Sequence, residues 1–139
     1  MRPPAAMLQN RDLGPLIAQF AARVNSLAMP AGTRLTSWWR APSANAAAGG
    51  AELSQHLVGL AADFVSSRPL ELVALAQRAG LSAIYHNVGS GWHVHIQAGR
   101  AGYVARLIVG RPWLARMIGV GRSPPLPYVI PYSDRSTSA

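Results

Sequence analysis

A chain of 139 residues, half of them hydrophobic, has room for one core of ordinary size and excludes a disordered or low-complexity protein. It contains no Cys, which excludes disulfide frameworks, thiolate metal sites and cysteine nucleophiles, so any metal must sit on His and carboxylate. The net charge of +8 comes from thirteen basic residues that are all Arg, dispersed from Arg2 to Arg135 without a run; this favours polyanionic targets and argues against a nucleic-acid interface. Only five acids exist, Asp12, Glu52, Asp63, Glu71 and Asp134, so a catalytic carboxylate comes from a short list.

The start, Met1-Arg2-Pro3-Pro4-Ala5-Ala6, gives no secretory signal, because Asn10, Arg11 and Asp12 interrupt the apolar stretch that follows. Leu13, Leu16, Ile17, Phe20, Val24 and Leu27 recur at three- and four-residue spacing and predict an amphipathic helix. Asn10 or Asp12 caps it, Pro15 falls in its first turn, and residues 29–32 end it. Residues 33–39 read as a strand, residues 44–48 as a helical turn closed by Gly49-Gly50, and residues 60–65 as extended chain. A second helix is expected over residues 70–79, with Glu71 near its positive end, Arg78 near the other and Gly80 as terminator. Residues 81–86 and 92–97 read as a hairpin around a five-residue loop. A third helical stretch follows Gly102 to about residue 118; Arg106, Arg111 and Arg116 rule out a membrane span there. From residue 122, four prolines predict an extended arm.

His93 and His95 share one face of the last strand, because alternate residues of a strand do. On its own, such a pair is a weak signal that reads first as two half-buried polar residues of an edge strand. Asp63 lies between Ala62 and Phe64 in an apolar strand, seven residues after His56. A carboxylate buried there needs a partner, whether an Arg, a turn it caps or a metal, because an unpaired buried charge is costly. A His, Asp, His donor set suits a catalytic zinc with a fourth position left open.

These residues resemble a known family. Ser54-x-His56-x-x-Gly59-x-Ala61-x-Asp63 followed by His93-x-His95 is similar to the zinc D-alanyl-D-alanine carboxypeptidase and murein endopeptidase group, whose fold hedgehog domains and phage endolysins share. The segment from Thr36 to Gly50, with Arg40, Pro42 and Asn45, resembles the family's upstream motif, and Gly80-Leu81-Ser82-Ala83-Ile84-Tyr85 its lead-in to the second His motif. The resemblance spans about residues 12–100. It implies that His56, Asp63 and His95 bind zinc, that His93 is the active-site His, and that Arg40 holds substrate or stabilises an oxyanion. Ser54 then serves as a hydrogen-bonding residue behind the ligands and toward substrate.

Two positions depart from the pattern. Many members carry an acid three residues before the last ligand, where this chain has Trp92, and Gln97 stands where many have Asp. Either His93 performs the proton transfers or catalysis is weakened or lost.

The resulting expectation is an α+β fold, a small, mainly antiparallel sheet with packed helices, as one zinc peptidase-like domain over residues 1–121 and a Pro-rich arm over residues 122–139. The implied activity is hydrolysis of an amide in the peptide stem or cross-link of peptidoglycan; the alternative is a catalytically weak or inactive zinc-binding module of the same fold. Implied partners are peptidoglycan stems, with virion or tail proteins docking on the arm, and the implied location is a phage virion or host cytoplasm with action at the cell wall. His86, beside the loop, is expected at the surface. Of Trp38 and Trp39, one is expected in the core and the other as a wall of the cleft.

Overall fold

The computed structural model describes residues 1–119, so the Pro-rich arm expected from residue 122 lies outside the described residues. Helices α1 (Ala5–Leu8) and α2 (Leu13–Asn25) lead into strand β1 (Arg34–Ser37) and helix α3 (Pro42–Ala47). A 3-10 turn, Gln55–Val58, precedes β2 (Ala61–Val65), after which α4 (Pro69–Arg78), β3 (Ser82–Asn87), β4 (Trp92–Gln97), α5 (Tyr103–Leu107) and α6 (Pro112–Met117) complete the order. The fold is α+β, as the sequence predicts.

The four strands form a wholly antiparallel sheet in the order β1-β2-β4-β3. The β3–β4 hairpin therefore returns β4 to the middle of the sheet, beside β2. Asp63 faces His95 across β2 and β4, and His86 faces His93 across β3 and β4. Side chains alternate along each strand, so these four share one face. Ala62, Phe64, Val94, Ile96 and Ala83 occupy the other and are buried with Ile17, Phe20 and Val24 of α2 and Leu72 and Ala76 of α4. Each fully buried Leu or Ile contributes about 1.5–3 kcal/mol of hydrophobic stabilisation, so one sheet face supplies the core and leaves the other free for polar chemistry.

Local signals explain most boundaries. Asn10 Oδ1 accepts the amides of Asp12 and Leu13 at 2.8 and 2.9 Å, so Asn10 rather than Asp12 caps α2. Helix α4 closes with Gly80 N–H donating to Gln77 O and Leu81 N–H to Ala76 O, a Schellman arrangement. Asn87 extends β3 by one residue, and its Oδ1 accepts the amides of Gly89 and Gly91, shortening the expected five-residue loop to four.

The single helical stretch expected after Gly102 is instead two short helices. Gly110 at φ 74° reverses the chain and Pro112 starts α6, so the apolar periodicity continues across a break in the hydrogen bonding. The α1 turn and the 3-10 turn were not legible as elements, being only four residues each. Among the described residues, no helix is long and apolar enough to cross a membrane.

Candidate metal centre

His56 is presented by the 3-10 turn. Ser54, expected behind the ligands, is the cap of this turn: its Oγ accepts the His56 amide at 3.1 Å. Gly59 ends the turn at φ 74°, where a Cβ would stand 2.8 Å from Pro3 Cγ. The chain leaving β1 lies across the turn because a bulge between Leu35 and Ser37 re-aims it. Trp38 Nε1 donates to Gly59 O at 2.9 Å, Trp39 Nε1 to Leu57 O at 3.0 Å, and the Arg40 amide to His56 O at 3.1 Å. The expected division of the two tryptophans into core and cleft wall is therefore corrected: both are half-buried and both clamp the turn, because each indole N–H is satisfied by a turn carbonyl.

His56 Nδ1 lies 2.5 Å from Trp38 O, and a carbonyl only accepts, so this nitrogen carries the proton. In the neutral ring Nε2 is then a bare lone pair; it is buried, has no hydrogen-bond partner, and sits 3.2 Å from Asp63 Oδ2. His95 repeats the arrangement with its nitrogens exchanged. Nε2 is 2.7 Å from Gln97 Oε1, whose orientation is fixed because Gln97 Nε2 donates to Gly99 O at 2.7 Å. That leaves His95 Nδ1 facing Asp63 Oδ1 at 2.9 Å. Gln55 braces the same point, donating to Gly99 O and accepting the Gly99 amide.

Two imidazole lone pairs thus converge on one buried carboxylate. Electron-rich atoms so placed need a positive charge between them, a proton or a metal ion. The ligand atoms of His56, Asp63 and His95 all lie within 4.8 Å of one another, and a nitrogen, oxygen, nitrogen set suits zinc. The residues present fit the metal, with Trp38 O and Gln97 Oε1 as the outer acceptors that set each tautomer. Burial alone pushes the Asp63 carboxyl up, but hydrogen bonding and electrostatic interaction with His56 and His95 outweigh it and hold the group well below the usual carboxylate range.

The other expected residues fall as follows. Arg40 Nη2 lies 2.5 Å from Asp63 Oδ2 and its Nε donates to Ser37 Oγ, so the Arg partner that a buried Asp requires is Arg40 itself. His93 is nearly buried; its Nδ1 donates to Gly91 O at 3.0 Å and its Nε2 is 3.7 Å from Asp63 Oδ1. His86 is not the simple surface residue expected: its Nε2 is 3.2 Å from His93 Nε2, because the strand register places the two opposite each other. Trp92 falls on the sheet face away from His93 and His95, is 59% exposed, and packs on Tyr85 at 4.9 Å between ring centroids. Glu52 is exposed. Among the described residues Asp63 is the only carboxylate in the cluster. Asn45 stands outside it, tying α3 to Ala51 O.

A small α+β protein whose open sheet face gathers a buried His56, a buried Asp63 and a half-buried His95 carries a donor set that could hold a transition metal. Residues 17–97, more than half of the chain, match the family model described as Peptidase M15. The chain belongs to the Peptidase M15 family, whose members are zinc-dependent peptidases. No curated protein and no solved structure matches it.

Proposed function

We propose that the protein hydrolyses an amide bond in the peptide stem or cross-link of peptidoglycan, at a zinc site made by His56, Asp63 and His95. The observation that carries this reading is the convergence of His56 Nε2 and His95 Nδ1 on Asp63. When bound, zinc supplies a Lewis acid that polarises the scissile carbonyl and makes water a better nucleophile near neutral pH.

The chain supplies the rest. His93, with Nδ1–H held by Gly91 O, keeps Nε2 toward the cluster, where it takes a proton from the attacking water and returns it to the leaving amine. Arg40 is one-fifth exposed and uses Nη2 and Nε on Asp63 and Ser37, which leaves Nη1 to meet a substrate carboxylate or the developing oxyanion. Ser54 acts through the turn it caps rather than by touching substrate. A substrate containing a D-amino acid follows from the family resemblance, and the strongly basic chain suits a carboxylate-rich wall.

A second reading is a zinc-binding module without turnover, docking on virion or tail proteins. It is favoured by the absence of a second carboxylate in the cluster among the described residues. Mass spectrometry of fragments released from purified peptidoglycan, with and without a chelator, separates the two. Chelator-sensitive release of new peptide termini supports the peptidase and names the bond. No release by a zinc-loaded sample supports the module.

A further inference from the structure

The His56, Asp63, His95 set uses two of the chain's four histidines, yet all four gather at this one place. The other two, His86 and His93, are direct cross-strand partners, with Nε2 atoms 3.2 Å apart and ring centroids 4.7 Å apart. His93 Nδ1 is committed to Gly91 O, so the Nε2 lone pair of the neutral ring points toward His86. Asp63 Oδ1 lies 3.7 Å from that same Nε2.

These distances match a chelate. Two imidazole nitrogens each bonded to a zinc at about 2.0–2.1 Å, at a near-tetrahedral angle, stand about 3.3 Å apart. The ladder already holds His86 and His93 at that spacing, so a cation would need no strand movement. We propose that His86 and His93 bind a second divalent transition-metal ion, with Asp63 Oδ1 as the oxygen between the two sites. Imidazole donors select zinc, copper or nickel over magnesium or calcium. With two nitrogens and a shared carboxylate, this site is the weaker of the two.

The consequence rests on the proposed reaction. A second ion takes the His93 lone pair that the proton transfer requires, so metal beyond the first equivalent shuts the enzyme down. The binding itself does not depend on that step.

The test is a zinc titration of the metal-free full chain by calorimetry, with bound zinc counted after equilibrium dialysis. Wild type should take up two equivalents, the second more weakly, and His86→Ala should take up one. His86→Gln, which keeps a polar side chain without the imidazole lone pair, should also take up one, with an unchanged circular dichroism spectrum for both variants. Saturation of wild type at one equivalent overturns the second site and points to a plain imidazole–imidazole hydrogen bond. Two equivalents retained by both His86 variants overturn it as well. Wild type that binds no zinc overturns the His56, Asp63, His95 reading along with it. Fragment release that is slowed by excess zinc in wild type and not in His86→Ala supports the shut-down; release that stays constant overturns it.

Discussion

His93 and His95 differ by one position on the same strand face and by everything in their surroundings. His95 turns Nδ1 to Asp63 and gives Nε2–H to Gln97, whereas His93 gives Nδ1–H to Gly91 O and sets Nε2 between His86 and Asp63. Their substitutions should therefore separate. His95→Ala should lose the zinc held with His56 and Asp63 and activity with it, while His93→Ala should keep that zinc and lose about 10²–10⁴-fold in rate, the usual worth of a general acid-base group. Zinc content by atomic absorption beside fragment release checks both; full activity in His93→Ala sinks the proton-transfer role. Gln97 acts at one remove. Gln97→Leu removes the acceptor that sets the His95 tautomer, and zinc affinity should fall about 10–100-fold, read by competition with a coloured chelator. In sequence, the meeting of His56, Asp63 and His95 was legible because Asp63 sits in an apolar strand where its charge demands a partner, and His56 and the His93–His95 pair offer metal donors at family spacing. The role of His86 was not, since it depends on which residue of β3 lies opposite His93, and that register comes from the hairpin loop rather than from composition.

The elements explain why the site holds its shape before any ligand arrives. The turn carrying His56 is only four residues long and could not stand alone, so its carbonyls are satisfied from outside by the Trp38 and Trp39 indoles. Trp39→Phe keeps the ring and deletes the N–H, leaving Leu57 O without this donor. It should cost about 1 kcal/mol in urea unfolding, and zinc affinity should fall with it because the turn loosens. Leu72→Ala in α4 acts differently: it opens a cavity in the opposite sheet face, costing about 2–5 kcal/mol, and should leave zinc affinity per folded molecule unchanged. Helices α2 and α4 were legible because their periodicity runs over several turns, and the strands because apolar and β-branched residues cluster between turn signals. The break between α5 and α6 was not, because the apolar pattern passes over Gly110 and Pro112 while the backbone hydrogen bonds stop there. The two tryptophans depart from the strand expectation for a related reason: a strand pattern says which way residues point only while the strand lasts, and β1 ends at Ser37.

At the scale of the molecule, the cluster couples stability to pH and to metal. Asp63 is held below its ordinary range in the fold, so it contributes stability that is complete above the unfolded carboxylate value of about 4 and is lost as pH falls further toward the folded value. His86 is lowered as well, by burial first and then by the charges of His93 and His95. A histidine that charges less readily in the fold lets the unfolded chain take up its proton first, so stability declines as pH drops below about 6.5 and levels off once the folded ring also titrates. The metal-free protein should therefore lose stability in two stages, a gentle one below about pH 6.5 and a steeper one below about pH 4. Urea unfolding at a series of pH values in the presence of chelator measures this. His86→Gln should flatten the first stage and leave the second, and a first stage that survives the substitution overturns the assignment to His86. Zinc adds a further layer, since an ion that binds only the folded chain contributes about 2.7 kcal/mol at a free concentration one hundred times its Kd. Metal ligands must be deprotonated, so that gain should fade in acid, and the zinc-loaded and metal-free stability curves should converge as pH falls.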